Sequence, residues 1–206
     1  MSWDRDIVIK NATEIALMRE AGRVNAEALA AVRELLQPGV TTADLNAAAE
    51  VILRKHGAYS PFKNYGRPPF PGSICVSINE QLVHGIPGHR KLQEGDIVSV
   101  DCGTVLEGFI GDSAFTAGVG EILPMAMKLI DVTEQALYVG IALMRAGNKT
   151  GDVSAAIQQY VESHGFHVVR EYTGHGVGRK MHEGPQVPNY GTPGTGILLG
   201  PGMTIA

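Results

Sequence analysis

The chain has 206 residues, 44% of them hydrophobic and 18% charged, with a net charge of −4. This is the composition of one folded domain with a sizeable core, not of a disordered chain, and without a basic block it argues against a nucleic-acid partner. No apolar run reaches the length of a membrane span, the charged start Met1–Lys10 is unlike a signal peptide, and two cysteines form no disulfide framework, so a reducing cytoplasm is the expected setting.

Residues Asn11 to Leu36 carry apolar side chains at helical spacing (Ile15, Met18, Val24, Ala28, Leu29, Val32, Leu35, Leu36), and Gln37-Pro38-Gly39 ends the run. Thr41 to Asp44 has the hydroxyl and the acid of a capping box, and predicts a helix through Lys55 that stops at Gly57. The segment Pro61 to Pro71, with four prolines, reads as a loop. Short strands are expected over Ile74 to Asn79 and Gln81 to His84, and longer ones over Ile97 to Gly103 and Gly108 to Val119. Helices follow over Pro124 to Arg145 and Thr150 to His164. Gly184 to Gly202, with six glycines and four prolines, is loop-rich.

Two stretches match without a gap at an offset of 108 residues: Gly39 with Gly147, Thr42 with Thr150, Asp44 with Asp152, Ala47-Ala48 with Ala155-Ala156, and His56-Gly57 with His164-Gly165. Any two helix pairs share a glycine and a cap, but not this many identities in one register. An internal duplication is expected, with halves of roughly 12–119 and 120–206. Gly95 then corresponds to Gly202. On that register the counterpart of Asp101 falls two residues beyond Ala206, so the second half is expected to be incomplete.

Asp101 and Asp112 both lie in apolar strand-like runs, where an unpaired carboxylate is costly. A two-residue turn at Glu107-Gly108 would pair Asp101 with Ala114 and Asp112 with Gly103. The acids would then be diagonal neighbours on one face, roughly 7–8 Å apart at the backbone and able to share a metal ion. A three-residue loop would put them on opposite faces. Two solvent-facing acids are the bland alternative, weighed against by Val98, Val100, Phe109, Ile110 and Phe115 around them. His84, His175 and His182 sit in tight glycine-rich contexts. Singly, each reads as structural or exposed; jointly they are candidate nitrogen ligands. Gly174-His-Gly-Val-Gly178 lacks the frame of a phosphate loop or dinucleotide site. Cys75 and Cys102, within apolar strands, read as small buried hydrophobes and not as nucleophiles.

These residues resemble the type I methionine aminopeptidases of the short bacterial form. The resemblance runs from Ile9-Lys10 and Glu14–Gly22 through Ser77–Glu80, Val83–Pro87, Asp101, Gly111-Asp112 and Gly174–Arg179 to His182–Val187. It implies an α+β pita-bread fold, with two pseudo-twofold-related halves around an antiparallel sheet. It also implies Asp101, Asp112 and His175 as ligands of two divalent ions (cobalt, manganese, iron or zinc), and His84 and His182 as catalytic groups that contact substrate near the scissile bond. Phe70, Cys75 and Met181 would line the methionine pocket. The implied activity is removal of the initiator methionine from nascent polypeptides when the next residue is small, by a cytoplasmic monomer acting near the ribosome. A proline-specific or creatinase-type relative is disfavoured by the Val83-His-Gly-Ile-Pro87 context. The family also uses two glutamates that residues 1–206 do not contain. A C-terminally truncated chain is therefore expected, lacking strands of the sheet, exposing an apolar edge and having little activity alone. A non-catalytic peptide- or partner-binding protein of the same fold is the competing expectation.

Overall fold

The computed structural model describes residues 6–206. Its elements run α1 (Ala12–Arg33), α2 (Thr42–Lys55), β1 (Ile74–Ile78), β2 (Ile97–Leu106), β3 (Phe109–Gly118), α3 (Pro124–Leu143), α4 (Thr150–Ser163), β4 (Thr173–Gly176) and β5 (Glu183–Pro188). The chain divides into two compact units, Thr13–Met127 and the stretch up to Ala12 together with Lys128–Ala206.

In the first unit, β1, β2 and β3 form an antiparallel sheet in that order. Alternation along the strands gives the sheet two different faces. Ile74, Val76, Ile78, Val98, Val100 and Cys102 join Val24, Ala28 and Val32 of α1 and Leu45, Ala49 and Leu53 of α2 in one buried core. Each large aliphatic side chain buried there contributes about 1.5–3 kcal/mol. Helix α1 stops at Arg33, short of the expected Leu36, because Leu35 and Leu36 donate to carbonyls only three residues back and tighten the chain into a turn.

The β2–β3 turn is the two-residue form: Glu107 and Gly108 both have positive φ, 51° and 76°, the geometry that suits the strand twist. The register therefore pairs Asp101 with Ala114 and Asp112 with Gly103. Helix α1 fixes this hairpin at close range. A Cβ on Gly111 would lie 2.7 Å from the Gly22 nitrogen. Asn25, 1% exposed, accepts from the Thr104 hydroxyl at 2.8 Å and donates to the Ser113 hydroxyl at 2.8 Å.

One expected element is absent: Gln81 to His84 is loop, not strand. Asn79 turns the chain out of β1 with φ 53°, and the Gln81 side chain accepts from the Ile78 N–H, closing the turn. The loop returns at Gly85, which accepts from the Val76 N–H at 2.9 Å and donates to the Ser77 hydroxyl at 3.0 Å. A Cβ on Gly85 would lie only 2.1 Å from the Val76 carbonyl oxygen, so only glycine fits.

In the second unit, α3 buries Val132, Ala136 and Gly140 and leaves Leu137, Tyr138 and Ile141 exposed. Gly140 lets α4 approach; a Cβ there would be 2.8 Å from Ile157 Cδ1. Val153, Val187 and Leu199 form a small buried core, flanked by Leu143, Ile157, Met203 and Ile205. β4 and β5 pair antiparallel.

Each unit contains one copy of the repeated segment, and the copies share their hydrogen bonds. Around α2, Gly39 N–H donates to Leu92, Thr42 N–H to Arg90 and Leu92 N–H to Val40, at 2.8, 3.0 and 2.8 Å. Around α4, Gly147 donates to Leu199, Thr150 to Ile197 and Leu199 to Asn148, at 3.2, 2.9 and 2.8 Å. Asp44 and Asp152 each reach back to the backbone N–H three residues before them, at 2.9 and 2.7 Å. Those bonds hold both carboxyls below the usual carboxylate range, with the Thr41 hydroxyl contributing first at Asp44.

Candidate active site

Asp101 and Asp112 project from the face of the hairpin opposite the helix-covered core, both partly buried. Cys75 of β1 pairs directly with Asp101 in the register. Burial first, and then the charge of Asp112, push the Asp101 carboxyl up to about 7. The same burial and the two nearby carboxylates push the Cys75 thiol up to about 12, while Cys102, on the core face, reaches about 12 through burial. Neither sulfur is therefore a thiolate near neutral pH. Burial and the neighbouring Asp112 charge make Asp101 costly to ionise, and a cation beside it would relieve that cost.

Phe62, 8% exposed, lies over this face. A Cβ on Gly103, opposite Asp112, would be 2.7 Å from its ring and 2.8 Å from Pro61. The proline-rich loop thus supplies an apolar wall beside the acids that the sequence reading did not single out; the Pro61-Phe62 pair was its only signal. Phe70 is partly buried in the same loop, with its N–H donating to the Tyr65 carbonyl at 2.8 Å. His84 stands exposed on the loop after β1, with φ 57°, immediately before the tightly docked Gly85.

In the second unit, His175 is on β4 and His182 precedes β5, and their rings meet edge to face at 4.5 Å between centroids. His175 Nδ1 lies 3.0 Å from the Gly176 carbonyl oxygen, an interaction that makes Nε2 the unprotonated nitrogen when Nδ1 carries the proton. Met181 is partly buried beside His182. The structure thus brings Asp101, Asp112 and Cys75 together in one unit, and His175, His182 and Met181 in the other. Among the described residues, no group of three or more His, Cys, Asp and Glu side chains is gathered as a metal cage. Glu183, at the start of β5, is buried and ion-paired to Lys10 at 2.5 Å.

The profile of metallopeptidase family M24 matches residues 16–206. The chain belongs to metallopeptidase family M24. A methionine aminopeptidase of Clostridium acetobutylicum is 52% identical over 201 residues, covering 97% of this chain and 80% of that protein. The crystal structure of methionine aminopeptidase from Thermotoga maritima superposes with a TM-score of 0.93 at 46% identity, covering 97% of this chain and 80% of that one. The Xaa-Pro dipeptidase of Bacillus anthracis shares the fold alone, with a TM-score of 0.79 at 24% identity, covering 96% of this chain and 53% of that one. The chain therefore has the α+β pita-bread fold of the M24 metallopeptidases, and a divalent metal is the cofactor that goes with the family. Among the described residues, no helix is long and apolar enough to cross a membrane.

Proposed function

We propose that this M24 peptidase is a methionine aminopeptidase that removes the initiator methionine from polypeptide N-termini when the second residue is small. The observation that carries the reading is the paired, partly buried Asp101 and Asp112 on one face of a hairpin, in a chain 52% identical to a methionine aminopeptidase. We assign Asp101, Asp112 and His175 as metal ligands for two divalent ions. Carboxylate and imidazole donors suit manganese, iron, cobalt or zinc. The donor chemistry fits the group: Asp101, raised to about 7, is held near neutrality by burial and by its neighbour, and divalent charge would stabilise both anions. When bound, the metal supplies Lewis acidity and lowers the pKa of water to the neutral range.

The chain's own residues do the rest. Asp101 and Asp112 hold their carboxylates in a fixed diagonal because the I′-type turn and Asn25 fix the register. His84 and His182 are assigned to the peptide group at the scissile bond, donating N–H bonds to the oxygen as it gains negative charge. Phe70, Cys75 and Met181 are assigned to the methionine side chain, with Phe62 added as the wall over Gly103. The un-ionised Cys75 suits an apolar thioether neighbour. Substrates are nascent chains in the cytoplasm, met beside the ribosome, and the protein acts as a monomer. The matching hydrogen bonds around α2 and α4 support descent of the two halves from one duplicated unit.

The test is methionine release from Met-Ala-Ser and Met-Leu-Ser peptides by metal-loaded protein. It is run on the 206-residue chain and on a chimaera carrying the segment of the Clostridium acetobutylicum relative that the match leaves out. Release from Met-Ala-Ser in preference to Met-Leu-Ser is expected. No release by either protein with any of the four metals overturns the reading.

A further inference from the structure

Lys10 and Glu183 form an ion pair whose side chains are 2% and 3% exposed. Neither residue belongs to the assigned ligand or substrate set. Removing two charges from water is costly, and a buried pair is a poor route to stability alone. This pair also organises more than itself. The Glu183 carboxylate accepts the backbone N–H of Arg179 at 3.0 Å and of Lys180 at 3.1 Å on one oxygen, and Lys10 Nζ at 2.5 Å on the other. Lys10 Nζ donates onward to the Val8 carbonyl, and the Lys10 N–H donates to Gly202 at 2.8 Å. The loop 178–182 is wrapped around the carboxylate so closely that a Cβ on Gly178 would lie 2.5 Å from Lys10 Cε and 2.7 Å from Glu183 Oε1. Ile7 bridges Gly184, and Gly184 N–H donates to Asp6, so the chain before α1 is strapped along the start of β5. His182 closes that loop, directly before Glu183 in the chain, and its ring meets that of His175 edge to face at 4.5 Å.

We propose that Lys10 and Glu183 are positioning residues for the reaction: the carboxylate gathers the 178–182 loop, the ammonium from the N-terminal strap locks the carboxylate, and His182 is thereby held at one orientation. The inference rests on the assignment of His182 to the substrate peptide group. Misplacing such a group by about 1 Å can cost on the order of 100-fold in rate.

The experiment uses two double variants. Lys10→Met with Glu183→Leu removes the charges and the loop's acceptor, while Lys10→Met with Glu183→Gln keeps an oxygen for the Arg179 and Lys180 N–H groups. The Leu form is expected to shift the His182 imidazole resonances in metal-free protein and to lower kcat roughly 10–100-fold with KM unchanged. The Gln form is expected to do both to a smaller extent. Lys63→Met, which removes a partly exposed pair with Glu50, serves as the control without either effect. Wild-type His182 resonances and wild-type kcat per folded molecule in both doubles overturn the proposal. A measurement that does not depend on the variants folding is amide hydrogen exchange in the wild type. Arg179 and Lys180 are exposed residues, yet their N–H groups should be protected; exchange at unfolded-chain rates overturns the proposal. His182→Ala with unchanged kcat would instead defeat the assignment of His182, leaving the amide protection and the resonance shifts as they were.

Discussion

In the metal-free protein Asp101 is expected to make stability fall as pH rises, and Asp101→Asn is expected to remove that dependence. Burial and the Asp112 charge raise its folded pKa to about 7, against about 3.9 in an unfolded chain. Between those values the unfolded state releases a proton that the folded state keeps, so stability falls with rising pH. The loss begins above pH ~4, is complete above pH ~7, and amounts to about 4 kcal/mol at most, at about 1.4 kcal/mol per pKa unit. Asparagine is close in shape and has no charge to desolvate. The assay is urea unfolding in chelator from pH 4.5 to 8.5, read as wild type minus Asp101→Asn. The subtraction cancels acids whose pKa is lowered by pairing, such as Glu50 with Lys63, which act in the opposite sense. The variant should match wild type near pH 4 and exceed it at pH 8. Saturating divalent metal should then stabilise wild type alone, by mass action. A variant less stable than wild type at pH 8 in chelator, or a flat difference across the range, would show that Asp101 is not held un-ionised by burial and by Asp112.

Gly111→Ala places a methyl 2.7 Å from the Gly22 backbone nitrogen; it should cost about 1–3 kcal/mol and weaken metal binding, checked by urea unfolding and calorimetric titration. Gly85→Ala, with a Cβ 2.1 Å from the Val76 oxygen, should displace the His84 loop and lower kcat more than it changes metal content, measured on the same preparation. Thr41→Ala, which loses the hydroxyl that caps α2 at 3.2 Å, should cost about 1 kcal/mol, read from the shift in urea midpoint, with no effect on bound metal. Cys75 and Cys102, both raised to about 12, should resist iodoacetamide at pH 8 until the protein unfolds; alkylation of the native protein at the rate of a free thiol would contradict their placement.

The features legible in the sequence are those set by neighbours along the chain. Glu107-Gly108 defined the turn, and the turn placed Asp101 and Asp112 on one face, because side-chain alternation leaves no freedom once a register is set. Thr41–Asp44 and its copy ending at Asp152 announced two helix starts, because in both the acid reaches back to the backbone N–H three residues before it, and Thr41 adds the hydroxyl that completes the box at α2. The Gln81–His84 strand failed for a non-local reason. Its apolar residues suit a strand, but Gly85 docks on Val76 and the segment between is held as a loop with Leu82 and Val83 exposed. Phe62 over Gly103 and Lys10 on Glu183 are contacts between residues far apart in the chain, 173 positions in the second case. No spacing rule reports them.

Metal content decides whether Asp101 and Asp112 hold divalent metal. Wild type, Asp101→Ala and Asp112→Ala are each loaded with manganese, freed of unbound ion and assayed for bound metal per folded chain. Bound manganese in wild type and its loss in both variants is the predicted result. Wild-type manganese content in either variant would contradict the account.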